Sequence, residues 1–216
     1  MNAAISVSNL RKTYPRSWAS PPFEALKGIS LSIEAGETFG FIGPNGAGKS
    51  TTIKILTGVM SPTGGSSALF GVDVTRPEAR HGLGYVPENP SLPDYLTPME
   101  ILSMGLALHG RKPDAPDAHC MRWLERFSLG EAANKVVRGF SKGMAQRTAL
   151  AHAMAVQPRL LILDEATSAL DSESEVHIQR ALTQAMAGRT TWVIAHRLST
   201  IQAMDRILVM DSGRII

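Results

Sequence analysis

The chain has 216 residues, 44% hydrophobic and 19% charged, which suits a globular protein and excludes an intrinsically disordered one. A formal charge of +3 and a pI near 9.2 reflect a slight Lys and Arg excess, with no dense basic run interleaved with aromatics to mark a nucleic-acid surface. The single Cys120 excludes an internal disulfide, no run of ~18 apolar residues offers a spanning helix, and MNAAISVSNLRKTY lacks a signal peptide's apolar block.

In chain order, the Pro-rich YPRSWASPPF (14–23) predicts an extended loop. TFGFIG (38–43) predicts a buried strand, GKSTTIKILTGV (48–59) a helix, and SPTGG (61–65) the turn that closes it. LTPMEILSMGLALHG (96–110) predicts a helix with Pro98 in its first turn, and APDAHCMRWLERFSLG (115–130) another ending near Gly130. SKGMAQRTALAHAMAVQ (141–157) predicts a third, stopped by Pro158. RLLILDE (159–165), TTWVIAH (190–196) and RILVMD (206–211) are apolar runs of strand length, rich in Leu and β-branched residues. Such runs fit central strands covered on both faces, and their alternation with helices argues for an α/β architecture with a largely parallel sheet. No convincing strand falls between 87 and 157, so a helical subdomain is expected there, inserted into a core built from 1–86 and 158–216.

GPNGAGKS (43–50) matches G-x-x-x-x-G-K-[ST] between a predicted strand and a predicted helix. Backbone N–H groups from Gly43 through Asn45, Gly46 and Gly48 would wrap a β-phosphate, where side chains would leave no room. Lys49 would bridge the β- and γ-phosphates, Ser50 would offer its hydroxyl to Mg²⁺, and Thr51 would extend the cradle. The alternative is a Gly-rich turn before a helix. LLILDE (160–165) ends an apolar strand in two carboxylates: Asp164 suits a water-mediated Mg²⁺ contact, and Glu165 can face an attacking water as general base. FSKGMAQR (140–147) opens a helix with Ser141, Lys142 and Gly143, which suits either an anion or an ordinary Ser N-cap.

The phosphate loop, FSKGMAQR, LILDEATSALD (161–171) and His196 after TWVIA stand in the order found in ABC-type ATPase domains, and the resemblance covers nearly the whole chain. It implies a P-loop NTPase fold, with an N-terminal antiparallel β portion beside the parallel core and the helical insertion. It also implies a head-to-tail dimer that sandwiches two ATP molecules with Mg²⁺. Ser141 and Gly143 would then contact the γ-phosphate held by the other subunit's loop. By the same resemblance Tyr14 stacks on adenine, with Trp18 as a rival; His196 contacts the γ-phosphate; and Asp171 of SALD either orders the opposite site or caps the next helix. Glu88 falls where the family usually has a Gln that binds Mg²⁺. Tyr95, Leu96 and Met99 fall where a membrane subunit docks.

The signature departs from Leu-Ser-Gly-Gly-Gln at Phe140, Lys142 and Met144. Lys142 either reaches the nucleotide or sits in solvent, and Met144 lacks the amide of the family's Gln. YVPENPSLPDYLTPMEIL and FSKGM resemble ATPases encoded apart from their membrane subunits. LDEATSALDSESEVHIQRAL and VIAHRLSTIQAMDRILVMDSGRI resemble fused exporters, so a chimera joined near Pro158 is one expectation, and truncation after GRII another. The expected function is ATP hydrolysis powering a transporter, an exporter before an importer. The expected partners are a second ATPase domain and transmembrane subunits that hold the protein on the cytoplasmic face of the membrane, with no nucleic acid. The alternatives are a soluble ATP-driven clamp on nucleic acid or ribosomes, and a nucleotide-binding module without useful turnover.

Overall fold

The computed structural model describes residues 3–16, 21–164, 182–183, 185–194, 202 and 204–216. They fall into two compact units, Met1–Leu83 with Arg189–Ile216, and Gly84–Gly188.

The first unit opens with two long strands, β1 (Ala3–Tyr14) and β2 (Phe23–Glu34), paired antiparallel with Val7 opposite Leu31 and Tyr14 opposite Phe23. Ile5, Val7 and Leu10 of β1 and Leu26, Ile29 and Ile33 of β2 are buried, as are Ala4 and Ala25 beside them, so one face is covered but the alternation is broken. β3 (Thr38–Ile42) is the predicted buried strand, and α1 (Lys49–Leu56) follows it. β4 (Gly64–Leu69) and β5 (Val72–Asp73) extend the antiparallel sheet in the order β2-β1-β4-β5.

Two sequence expectations are corrected here. The helix predicted to Val59 ends at Leu56, because Gly58 takes a left-handed φ of 73° just past the cap at Thr57, the usual glycine stop. The two glycines of SPTGG belong to β4 and not to a turn. Gly65 has φ 77°, and a Cβ there would lie 2.2 Å from the Asn9 carbonyl oxygen, so glycine permits the close approach of β4 to β1.

With β6 (Leu83–Val86) and β7 (Leu160–Asp164) described below, the remaining strands of this unit are β8 (Thr190–Ile194), β9 (Arg206–Asp211) and β10 (Arg214–Ile215). β3 runs parallel to both β8 and β9 and lies between them; β10 turns back antiparallel on β9. Phe39, Phe41 and Trp192 are fully buried in this core, with Trp192 edge-on to both phenyl rings at 5.3 and 5.1 Å. Arg206 closes the sheet's end on Glu37 at 2.7 Å.

In the second unit β6 and β7 are neighbouring strands. Among residues 87–157 the elements are helices: α2 (Pro98–Leu108), α3 (Pro116–Arg126) and α4 (Lys142–Ala155), with short 3-10 turns at Gly130–Ala132 and Val137–Gly139. α2 begins with a capping box between Thr97 and Glu100, which satisfies two helix-start donors reciprocally. Ile101, Leu102 and Leu106 of α2, Cys120 and Leu124 of α3, and Leu150 and Met154 of α4 form the buried seam among the three helices. α3 ends at Arg126, four residues before the predicted Gly130, and the chain continues in a tight turn through Ser128 with φ 55°.

Candidate functional site

The phosphate-loop residues bridge β3 and α1 in the first unit. Gly43 has φ 155°, and a Cβ on it would meet the Met210 carbonyl oxygen at 2.1 Å. That oxygen belongs to β9, where Met210 is paired with Ile215 of β10. Gly46 has φ 81°, and Gly48, the N-cap of α1, has φ 110° with Ala25 O and the Leu26 side chain 2.8 Å from a built Cβ. These conformations are open to glycine at little cost and strained for any other residue. Gly213, in the β9–β10 turn, donates its N–H to the Ala47 carbonyl at 2.9 Å and so braces the loop from below.

Lys49 is only 5% exposed, and its ammonium donates to the carbonyls of Gly43 at 2.6 Å and Pro44 at 3.1 Å. Asn45, Gly46 and Ser50 are exposed. The loop therefore presents a rim of open backbone around a buried cation at a helix start, an arrangement suited to an anion. Tyr14, at the end of β1, is half-buried beside this loop: its hydroxyl lies 3.3 Å from Thr51 Oγ1 and donates to Met60 Sδ at 3.1 Å. Trp18 lies outside the described residues.

In the second unit Asp164 ends β7, and the Tyr85 hydroxyl of β6 donates to Asp164 Oδ2 at 3.4 Å. Burial first, and then the Asp164 charge and hydrogen bond, push the Tyr85 phenol up to about 12. An unfolded phenol ionises near ~10, so neutral Tyr85 stabilises the fold fully below that pH, and the contribution is lost as pH rises through about 12. In an alkaline absorbance titration we expect the Tyr85 phenol to stay protonated at about pH 11. Tyr85→Phe should remove that late step; a late step surviving in the variant would assign the shift elsewhere.

Glu88 is exposed in the loop after β6. Ser141 is the N-cap of α4, accepting from the Met144 N–H at 3.2 Å; it is exposed, whereas Gly143 is buried. Two residues that sequence reading passed over hold this helix start. Gln146, 3% exposed, donates from Nε2 to the Pro87 carbonyl at 3.4 Å and ties α4 to the segment before Glu88. Arg147 donates to the carbonyls of Phe127 and Ser128 at 3.3 and 3.2 Å. Both stand inside FSKGMAQR, but with Arg147 and Thr148 beside it Gln146 carries no local mark of burial, which only the fold reveals.

Tyr95 is exposed beside a backbone clasp in which Val137 and Arg138 donate to the carbonyls of Leu96 and Asp94. Met99 donates its N–H to the Ala133 carbonyl at 3.1 Å. Glu165, Asp171 and His196 lie outside the described residues. No group of three or more His, Cys, Asp or Glu side chains suited to a metal occurs among the described residues. Mg²⁺ needs no such cluster, since it keeps most of its waters and takes one or two protein oxygens. The Ser50 hydroxyl in the first unit and the Asp164 carboxylate in the second are each an oxygen donor of the type it takes.

A family model described as ABC transporter matches residues 26–168. An uncharacterized ABC transporter ATP-binding protein of Nostoc is 35% identical over 99% of this chain, which spans 65% of that protein. An ATP-dependent lipid A-core flippase of Alcanivorax borkumensis is 40% identical over 91% of this chain, which spans 35% of the flippase. Among solved structures, a dimeric ATP-binding cassette in a post-hydrolysis state bound to ADP and Pi superposes with TM-score 0.88 at 26% identity, covering 98% of this chain and 96% of that one. A bacterial Atm1-family ABC exporter with ATP bound superposes with TM-score 0.82 at 31% identity, covering 99% of this chain and 38% of that one.

Proposed function

The chain belongs to the ABC transporter family, and from that premise we propose that it binds and hydrolyses ATP to drive a membrane transporter, an exporter in preference to an importer. The supporting observation is the loop at 43–51, where three positive-φ glycines surround a buried lysine at a helix start. Relatives named as flippases and an exporter superposing along the chain favour the export direction. The nucleotide core is assigned to 1–86 and 158–216 and the signature-bearing insertion to 87–157.

The backbone N–H groups from Gly43 to Thr51 bind the phosphates, and Lys49 turns from its loop carbonyls to the β- and γ-oxygens. Tyr14 offers its ring to the adenine. Ser50 and Asp164 would hold Mg²⁺, directly and through water, with Glu88 nearby in role; when bound, the metal neutralises charge on the transferred phosphoryl. Glu165 accepts the proton of the attacking water, and His196 donates to the γ-phosphate and holds its geometry. Ser141 and Gly143 of the partner subunit complete the site, and Asp171 orders the opposite pocket. Among the described residues no helix is long and apolar enough to cross a membrane; in the proposed assembly transmembrane subunits hold the domain on the cytoplasmic face.

Because each copy supplies half of each site, hydrolysis per molecule should rise steeply with protein concentration. Phosphate release measured across the dimerisation range tests this. Turnover per molecule that stays constant on dilution would overturn the shared site.

A further inference from the structure

We propose that the helical subdomain carries a second anion site, separate from the phosphate loop, that takes a soluble phosphate-bearing small molecule in two adjoining cavities against α3. One cavity, of about 200 Å³, lies between the α2–α3 connection and the end of α4. The other, of about 130 Å³, opens along α3 itself. His119 and Gln157 line both and form their common wall. Together they sit at the lower end of the ~300–1,000 Å³ typical of small-molecule sites.

The lining chemistry selects an anion. Arg111 and Lys112 border the larger cavity, Arg122 and Arg126 the smaller, and no carboxylate lines either. Asp114, Asp117 and Glu125 occur on the same stretch of chain, yet none pairs with these four cations among the described residues. Arg126 stacks at 4.8 Å over the Trp123 ring, which holds its guanidinium plane in place. Planar guanidinium forks match phosphate oxygens bidentately.

The wall between the cavities is built with care. His119 is 5% exposed and its Nε2 donates to the Ala155 carbonyl at 2.7 Å, fastening α3 to the last turn of α4. Gln157 follows that turn with φ 51°, where helices ordinarily place glycine. A residue with a long side chain stands at a strained position and lines both cavities.

The test uses the full chain labelled with 5-fluorotryptophan and carrying Lys49→Met, which weakens anion binding at the phosphate loop. The Trp123 ¹⁹F resonance, assigned by its loss in Trp123→Phe, is followed during titration with inorganic pyrophosphate at constant ionic strength. A saturable shift of that resonance is expected, with apparent affinity weakened about tenfold or more by Arg122→Gln/Arg126→Gln. Both arginines are exposed, so the double variant should keep the parent's melting temperature. An unresponsive Trp123 resonance, or a shift of equal affinity in the double variant, would overturn the site. A response to anionic phospholipid vesicles but not to pyrophosphate would overturn the soluble ligand. Since Lys49→Met removes turnover from the measurement, the outcome is independent of whether the protein hydrolyses ATP.

Discussion

Lys49→Met is expected to weaken ATP binding by roughly 10- to 100-fold and to reduce hydrolysis below detection. Methionine keeps most of the aliphatic stem that fills this 5%-exposed position, so the change removes the ammonium with little loss of packing. In the folded chain that ammonium rests on the Gly43 and Pro44 carbonyls at 2.6 and 3.1 Å. A triphosphate offers it full negative charge in place of two neutral carbonyls, and a hydrogen bond to a charged group contributes about 1.5–3 kcal/mol. That range converts to the stated loss in affinity. Equilibrium binding of a fluorescent ATP analogue reads the effect directly. Affinity equal to the parent's would remove Lys49 from the phosphates and leave the loop as a Gly-rich turn.

Glu165→Gln should lower turnover by ~10²-fold or more, the usual contribution of a positioned general base. The amide can still accept a hydrogen bond from water but cannot take its proton. ATP binding through the loop should persist, so the variant should accumulate as an ATP-bound dimer. Single-turnover hydrolysis and size-exclusion chromatography with ATP separate the two consequences. Near-parental hydrolysis in the variant would assign the base to another residue. The two substitutions thus divide the reaction: one loses the nucleotide, the other keeps it and loses the chemistry.

Much of the fold is legible because local signals and tertiary structure agree. β3, β7 and β8 are short apolar runs buried on both faces, and such runs announce themselves, whereas β9, expected from its composition to be covered in the same way, exposes Ile207 and Val209 and buries only Met210. α4 spans Lys142–Ala155 between a Ser cap and Pro158, both readable in the chain. The β1–β2 pair was expected only through family resemblance. Its alternation is interrupted by register shifts between Val7 and Leu10 and between Lys12 and Thr13, so no clean period of two survives in the residues. α1 ends three residues before the predicted Val59 because Gly58 takes a positive φ just past Thr57, a conformation that glycine permits but does not announce.

The residue types of the phosphate loop follow from chemistry that is local to the chain: glycines where φ must be positive, a lysine at the helix start, a hydroxyl after it. The amino-acid sequence alone determines that set, because every member lies within nine consecutive positions. Tertiary structure decided what touches it. Gly213 bracing Ala47, Met210 forbidding a side chain at Gly43, and Tyr14 reaching Thr51 all join residues far apart in the chain. The same holds for Tyr85 on Asp164 and for the cavities shared by His119 and Gln157. Propensity and periodicity act over a few residues, whereas these contacts exist only once strand order and helix packing have brought distant segments together.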